Sequence, residues 1–183
     1  MTDVDELVER IHAAPPLAVV AATGAGSQAL AWMLAVPGAS RTLLEALVPY
    51  AATSMVELIG KEPAEFVSAE TALAMARASH RRALELREGD APVIGVACTA
   101  TIATDRTKRG EHNCAVAIST GRPGSEDGEA VYTLTLSKGS RDRAGEEEVV
   151  SRLLLHALAV ASGVESTLSL GLLADERLET QSS

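Results

Sequence analysis

Thr23-Gly24-Ala25-Gly26-Ser27 interrupts the stretch LAVVAATGAGSQALAWMLAVPG (Leu17–Gly38), between an apolar run and a helically spaced one. A glycine loop at such a junction opens on a helix N-terminus, whose unpaired N–H groups and dipole favour an anion. Thr23 and Ser27 add hydroxyl groups, so phosphate binding and hydroxyl chemistry are both open to the segment. Gly24, Gly26 and Ala29 satisfy the loose dinucleotide fingerprint, and Glu45 follows about twenty residues on. That carboxylate should end a second strand, however, and here it lies inside one. No GxxxxGK[ST] string occurs. A tight turn that needs small residues for close helix–sheet packing accounts for both glycines equally well.

The basic residues point the same way. Arg106, Lys108, Arg109, Lys138, Arg141 and Arg143 supply six of the sixteen cations, all in short polar segments after apolar runs. Guanidinium groups offer paired donors in fixed geometry, which suits a phosphate. Solvated loop charge is the plain alternative. His112, in the first of these segments, is a candidate base or a structural histidine. His156 lies in an apolar helical run and is expected to pack, whereas His12 and His80 lie among charged residues and carry no signal. Glu146, Glu147 and Glu148 complement the dipole at the start of a helix, where one could also hold a ribose hydroxyl. Cys98 and Cys114 stand in separate strand-like runs without a CxxC pair or a nearby ligand histidine, so no metal site is expected.

These groups need elements to position them. Val4, Leu7 and Ile11 mark a first helix, ended by Pro15-Pro16. Leu17–Ala22 reads as a buried strand, Ser27–Leu34 as a helix, Thr42–Val48 as a strand, and Ala51–Ile59 as a short helix stopped by Gly60. Ser68 caps a helix reaching about Leu86. Pro92–Ala100, Asn113–Thr120 and Val131–Ser137 read as strands, the last two joined by a Gly/Pro/Ser/acidic hairpin loop. A long helix begins near Asp142, with Val149, Leu153, Ala157 and Val160 on its inner face. The tail, 164–183, is expected to be partly ordered, with helix at Leu170–Leu178. The pattern implies one α/β domain over residues 1–183, a three-layer α/β/α sandwich around a mixed, about five-stranded sheet.

The totals narrow the partners. Of the 183 residues, 46% are hydrophobic and only 2% aromatic, so the core must be Ala, Leu and Val. A net charge of −9 opposes sequence-independent nucleic-acid binding. No apolar run reaches membrane-spanning length and no signal peptide precedes the first helix, so a soluble cytoplasmic chain without membrane partners is expected.

ATGAGS followed by VPGAS and VPY, SAETALAMARASHRRAL with PVIGVACTATIA, and KGSRDRAGEEEVVSRLLLHALA resemble, in that order, the CinA C-terminal domain family. The resemblance spans roughly residues 5 to 163. It implies a mixed-sheet α/β/α fold, a homo-oligomer with sites near subunit contacts, and amidohydrolase action on nicotinamide mononucleotide, with no cofactor. The family's loop serine aligns with Thr23, its glutamate with Ala22, its second glycine with Ser27, and its tyrosine with Tyr50. The family's lysine falls on Met55, and its Thr-Gly…Gly-Pro-Gly loop on Thr99-Ala100 and the TIATDRTKRGEH that follows, which includes Thr101. Thr23 and Tyr50 are therefore the expected catalytic pair. Gly24, Gly26, Ser27, Thr99, Thr101, His112 and the six cations are the expected ligand contacts. Two functions follow: a domain binding a pyridine mononucleotide or related phosphorylated ligand, its hydrolytic activity questioned by Met55, or a non-catalytic domain that partners a nucleotidyltransferase, a module fused to similar chains elsewhere.

Overall fold

The computed structural model describes residues 2–105, 110–121 and 128–182. Five helices, α1 (Asp3–His12), α2 (Ser27–Ala35), α3 (Ala52–Ile59), α4 (Ala69–Leu86) and α5 (Arg143–Ala161), enclose a sheet. Its strands are β1 (Leu17–Thr23), β2 (Leu43–Leu47), β3 (Val93–Thr101), β4 (His112–Ser119), β5 (Glu129–Leu136) and β6 (Arg177–Ser182), in the order β2-β1-β3-β4-β5-β6. β1 runs parallel to β2 and β3, and every later neighbour is antiparallel. The mixed α/β sandwich expected from the sequence is therefore present, with one more strand. No helix among the described residues is long and apolar enough to cross a membrane.

Strand alternation separates two cores. Ala22, Val96, Cys98, Cys114 and Val116 face α1, α2 and α5, together with Leu153, Leu154 and Leu158. Ala21, Ala97, Ala115 and Ala117 face α4, where Ala72, Met75 and Ala76 meet them. The approach of α4 is close because Gly95 has no side chain: a Cβ there would lie 2.2 Å from the Ala76 carbonyl oxygen. Alanine-on-alanine packing of this kind replaces aromatic bulk with short interlayer distance.

Three sequence readings are corrected here. Leu170–Leu178 is not helical. The segment runs irregularly into β6, which pairs with β5 from Arg177 onward. RLETQS lacks apolar alternation because this edge strand is mostly exposed. Val160 is 44% exposed rather than inward-facing, since the last turn of α5 buries Leu158 and Ala159 and turns Val160 outward. His12 and His80 are interior groups, 1% and 4% exposed. His12 joins Thr42 Oγ1 at 2.9 Å and the Met33 carbonyl at 3.0 Å, and its burial holds the imidazole pKa below the ordinary value.

The segment before β6 is fastened by Glu176. Its carboxylate accepts from Ser137 N (3.1 Å), from Leu173 N (2.8 Å) and from the Arg141 guanidinium. Burial alone would raise its pKa, but the bonds from Arg141 and the two amides outweigh that and hold it below the usual 4.5. A depressed carboxylate stabilises the fold above its unfolded pKa and stops doing so as pH falls through its folded pKa. Glu176→Gln should therefore cost about 2 kcal/mol at pH 7. Urea denaturation should show the gap from the parent chain closing as pH drops below about 4.5; a gap independent of pH would contradict this role.

Candidate functional site

The glycine loop crosses from β1 to α2 at the C-terminal end of the parallel strands, where open α/β sheets place their ligand crevices. Gly24 has φ +79°, and a Cβ on it would stand 1.8 Å from the Ala100 carbonyl oxygen. Gly26 caps α2 at φ +96°. Both glycines thus answer a backbone requirement of the loop, whatever else the loop does.

On the α5 side, the helix N-terminus is already filled. Gly26 has no side chain with which to cap α2, and Glu147, far along the sequence, supplies the acceptor. Its carboxylate takes bonds from Gly26 N (3.2 Å), Gln28 N (3.1 Å) and the Ser27 hydroxyl (2.8 Å). Ser151 Oγ donates to the same group at 3.2 Å. The anion favoured by the α2 dipole is thus the protein's own carboxylate. One residue earlier, Glu146 is fully buried and receives His112 Nδ1 at 2.7 Å and Ala103 N at 2.6 Å. Arg143 donates to the Ala103 carbonyl (2.8 Å) and the Gly24 carbonyl (3.3 Å). The first turns of α5 therefore clasp the glycine loop, the loop after β3 and the start of β4.

On the α3/α4 side lies a cavity of about 220 Å³ lined by Thr23, Gly24, Tyr50, Ala51, Ala52, Met55, Phe66, Val67, Thr99 and Ala100. It brings together Thr23 and Tyr50, the expected catalytic pair, with Gly24 and Thr99. β1 and β3 position the two threonines side by side, in register. Thr99 Oγ1 donates to the Phe66 carbonyl at 2.7 Å, which pins the segment leading into α4 over the strand. Met55 is 4% exposed, whereas Tyr50, at the rim, is 71% exposed. No charged side chain among the described residues lines this cavity. Its walls suit a flat aromatic ring, with Thr23 as the hydroxyl beside it.

The remaining expected contacts are dispersed. His112 shares the α5 face with Cys114, so the sheet itself separates its imidazole from Thr23. Thr101 ends β3 opposite Asn113. Lys138 Nζ donates to the Gly110 carbonyl at 3.0 Å, and Arg141 binds Glu176 and the Gly171 carbonyl. Arg106, Lys108 and Arg109 lie outside the described residues. Burial raises the Cys98 thiol well above its ordinary value and pushes Cys114 up to about 12, which leaves neither as a thiolate at neutral pH. Glu45 forms an ion pair with Arg82 at 2.9 Å, which accounts for it without a nucleotide.

Sequence reasoning missed Phe66 and Val67 as pocket walls. Phe66 is the only phenylalanine in a chain with 2% aromatic residues, a signal that was present. It also missed Glu147 as the cap of α2, for which the missing local cap at Gly26 was the one clue.

No family profile and no curated relative matches the chain. Solved structures do. The competence/damage inducible protein CihA from Agrobacterium tumefaciens superposes with a TM-score of 0.66 at 21% identity, over 88% of this chain and 96% of that one. A CinA superfamily protein from Enterobacter cloacae gives 0.59 at 20% identity, over 87% and 90%. A competence or damage-inducible protein from Enterobacter asburiae gives 0.60 at 19%, over 89% and 98%. The fold is CinA-like over most of the chain.

Proposed function

We propose that this CinA-like domain binds a pyridine mononucleotide and turns its carboxamide over too slowly to be a working amidohydrolase. The observation that carries the proposal is the cavity at Thr23: a hydroxyl stands beside apolar walls of Met55, Phe66 and Val67, and no charged group among the described residues lines the space. Ring binding needs such walls. Amide hydrolysis needs more: a nucleophile, a group to take its proton, and donors for the developing oxyanion. Thr23 supplies the first. Met55 can neither accept a proton nor carry charge, and His112 is on the far face of the sheet. Glu147 fills the N-terminus of α2, so the ligand's phosphate must be met elsewhere.

Titration calorimetry against nicotinamide mononucleotide, run beside an ammonia-release assay, tests both halves. The expected result is saturable binding that Met55→Arg abolishes, with ammonia release at the uncatalysed rate. Enzymatic turnover by the parent chain would overturn the second half; absence of binding at millimolar concentration would overturn the first.

A second reading, an assembly domain, draws on Val48 and Tyr50, 55% and 71% exposed at the end of β2 beside the pocket rim. A homo-oligomer or a nucleotidyltransferase partner covering that corner would bury both. Light scattering that finds only monomer, together with an undiminished nucleotide site, would remove the homo-oligomer.

A further inference from the structure

Among the described residues, the sheet ends at β2 on one side and β6 on the other, each with an open outer edge. An open edge offers unpaired N–H and C=O groups to any strand that can align with them. β2 is guarded. Its pairing with β1 shifts register between Ala18 and Val19, Pro49 follows it closely, and its one charge, Glu45, is held by Arg82. β6 has none of these protections. It lies along β5 through six consecutive pairs, from Arg177 opposite Thr135 to Ser182 opposite Ala130, with no bulge and no proline. Its residues are exposed, apart from the half-buried Leu178.

Two of the exposed residues are charged, Arg177 and Glu179. They stand two positions apart, so they share a face of the sheet. Glu179 continues the row of Ala115 and Thr133, which places both charges on the face that carries α4. Neither has an ion-pair partner among the described residues.

The order of these charges is complementary to its own image. When a strand pairs antiparallel with its own copy about a twofold axis, one residue must face itself, because outward-pointing backbone groups must meet outward-pointing ones. A twofold axis normal to the sheet also keeps each side chain on its own face. Centring on Arg177 or on Glu179 opposes like charges directly, which is destabilising. Centring beyond Glu179 gives neither charge an opposite partner. Centring on Leu178 sets Arg177 against the second copy's Glu179, and the reverse, with Leu178 on Leu178 across the other face. Directly opposed side chains in such a pair are about 5 Å apart at Cβ, within ion-pair reach.

We propose that β6 is the docking edge for a second copy of this chain, joined antiparallel about Leu178 into one continuous twelve-stranded sheet. The two Arg177–Glu179 pairs fix the register, and backbone hydrogen bonds between the edges hold it. The contact lies at the opposite edge of the sheet from Val48 and Tyr50, and it owes nothing to the cavity at Thr23.

Sedimentation equilibrium of the full chain, from about 5 to 500 μM, tests this. A short polar interface belongs at the weak end of the range, so a monomer–dimer equilibrium with a dissociation constant of order 10–100 μM is expected. Arg177→Glu and Glu179→Arg should each weaken it by about tenfold or more, because each turns two attractive pairs into two repulsive ones. The double swap, Arg177→Glu with Glu179→Arg, should restore the parent value within about threefold. An equimolar mixture of the two single variants should dimerise as the parent does. Both side chains are exposed, and the double swap shows that the substitutions leave β6 in place. Monomer at every concentration would overturn the proposal. So would a dimer indifferent to both single variants, which would place the contact elsewhere, or a double swap that fails to restore what the single variants lose.

Discussion

Gly24→Ala is expected to lower stability by more than about 4 kcal/mol, or to prevent folding altogether. Two costs combine at this position. The backbone has φ +79°, a conformation that L side chains rarely adopt, which costs roughly 1–2 kcal/mol. The larger cost is steric: the new Cβ would lie 1.8 Å from the Ala100 carbonyl oxygen and 2.8 Å from its carbon. Both are backbone atoms, so no side chain can rotate aside, and the loop would have to leave β3. Gly60→Ala isolates the first cost, since Gly60 has φ +80° with nothing within 4 Å of its missing Cβ. It should lose only about 1 kcal/mol. Urea denaturation of the two variants side by side measures the difference; equal losses would show that the loop does not depend on close contact with β3.

Met55→Lys should have the largest effect on chemistry. It restores the lysine that the family resemblance places at this position, inside the cavity that holds Thr23. Met55 is 4% exposed, and a lysine introduced there loses solvation, which lowers its pKa toward neutrality. An amine in that state can take the proton of Thr23 as it attacks a carboxamide. General-base assistance contributes roughly a hundred- to ten-thousand-fold, so ammonia release from nicotinamide mononucleotide should rise by at least about a hundredfold. Thr23→Val in the same background should return the rate to zero. A variant that binds the nucleotide but releases no ammonia would place the deficit elsewhere, at Ala22 or Ser27, where the family has glutamate and glycine.

How much of this could be read beforehand varies by element. The apolar runs of β1 and β3 and the Ser68 cap of α4 announce themselves, because burial on both faces and local capping leave marks within a few residues. β6 leaves none: an exposed edge strand needs only a partner, and β5 provides it. The site divides in the same way. Thr23, Gly24, Tyr50 and Thr99 were readable as a group, and they do line one cavity. The cationic cluster was readable only as a cluster in sequence. In space, Arg141 holds Glu176, Arg143 holds two carbonyls, and Lys138 reaches Gly110.

By itself, the sequence determined the order of strands and helices as far as α5, the small-residue core and the position of the glycine loop, since these follow from hydrophobic period, residue volume and backbone freedom. Tertiary structure alone decided what the loop could bind. Strand alternation sent Thr23 and His112 to opposite faces, and the packing of α5 brought Glu147 onto the N-terminus of α2. A helix dipole attracts whichever anion is nearest. Only the fold could show that this anion belongs to the chain itself.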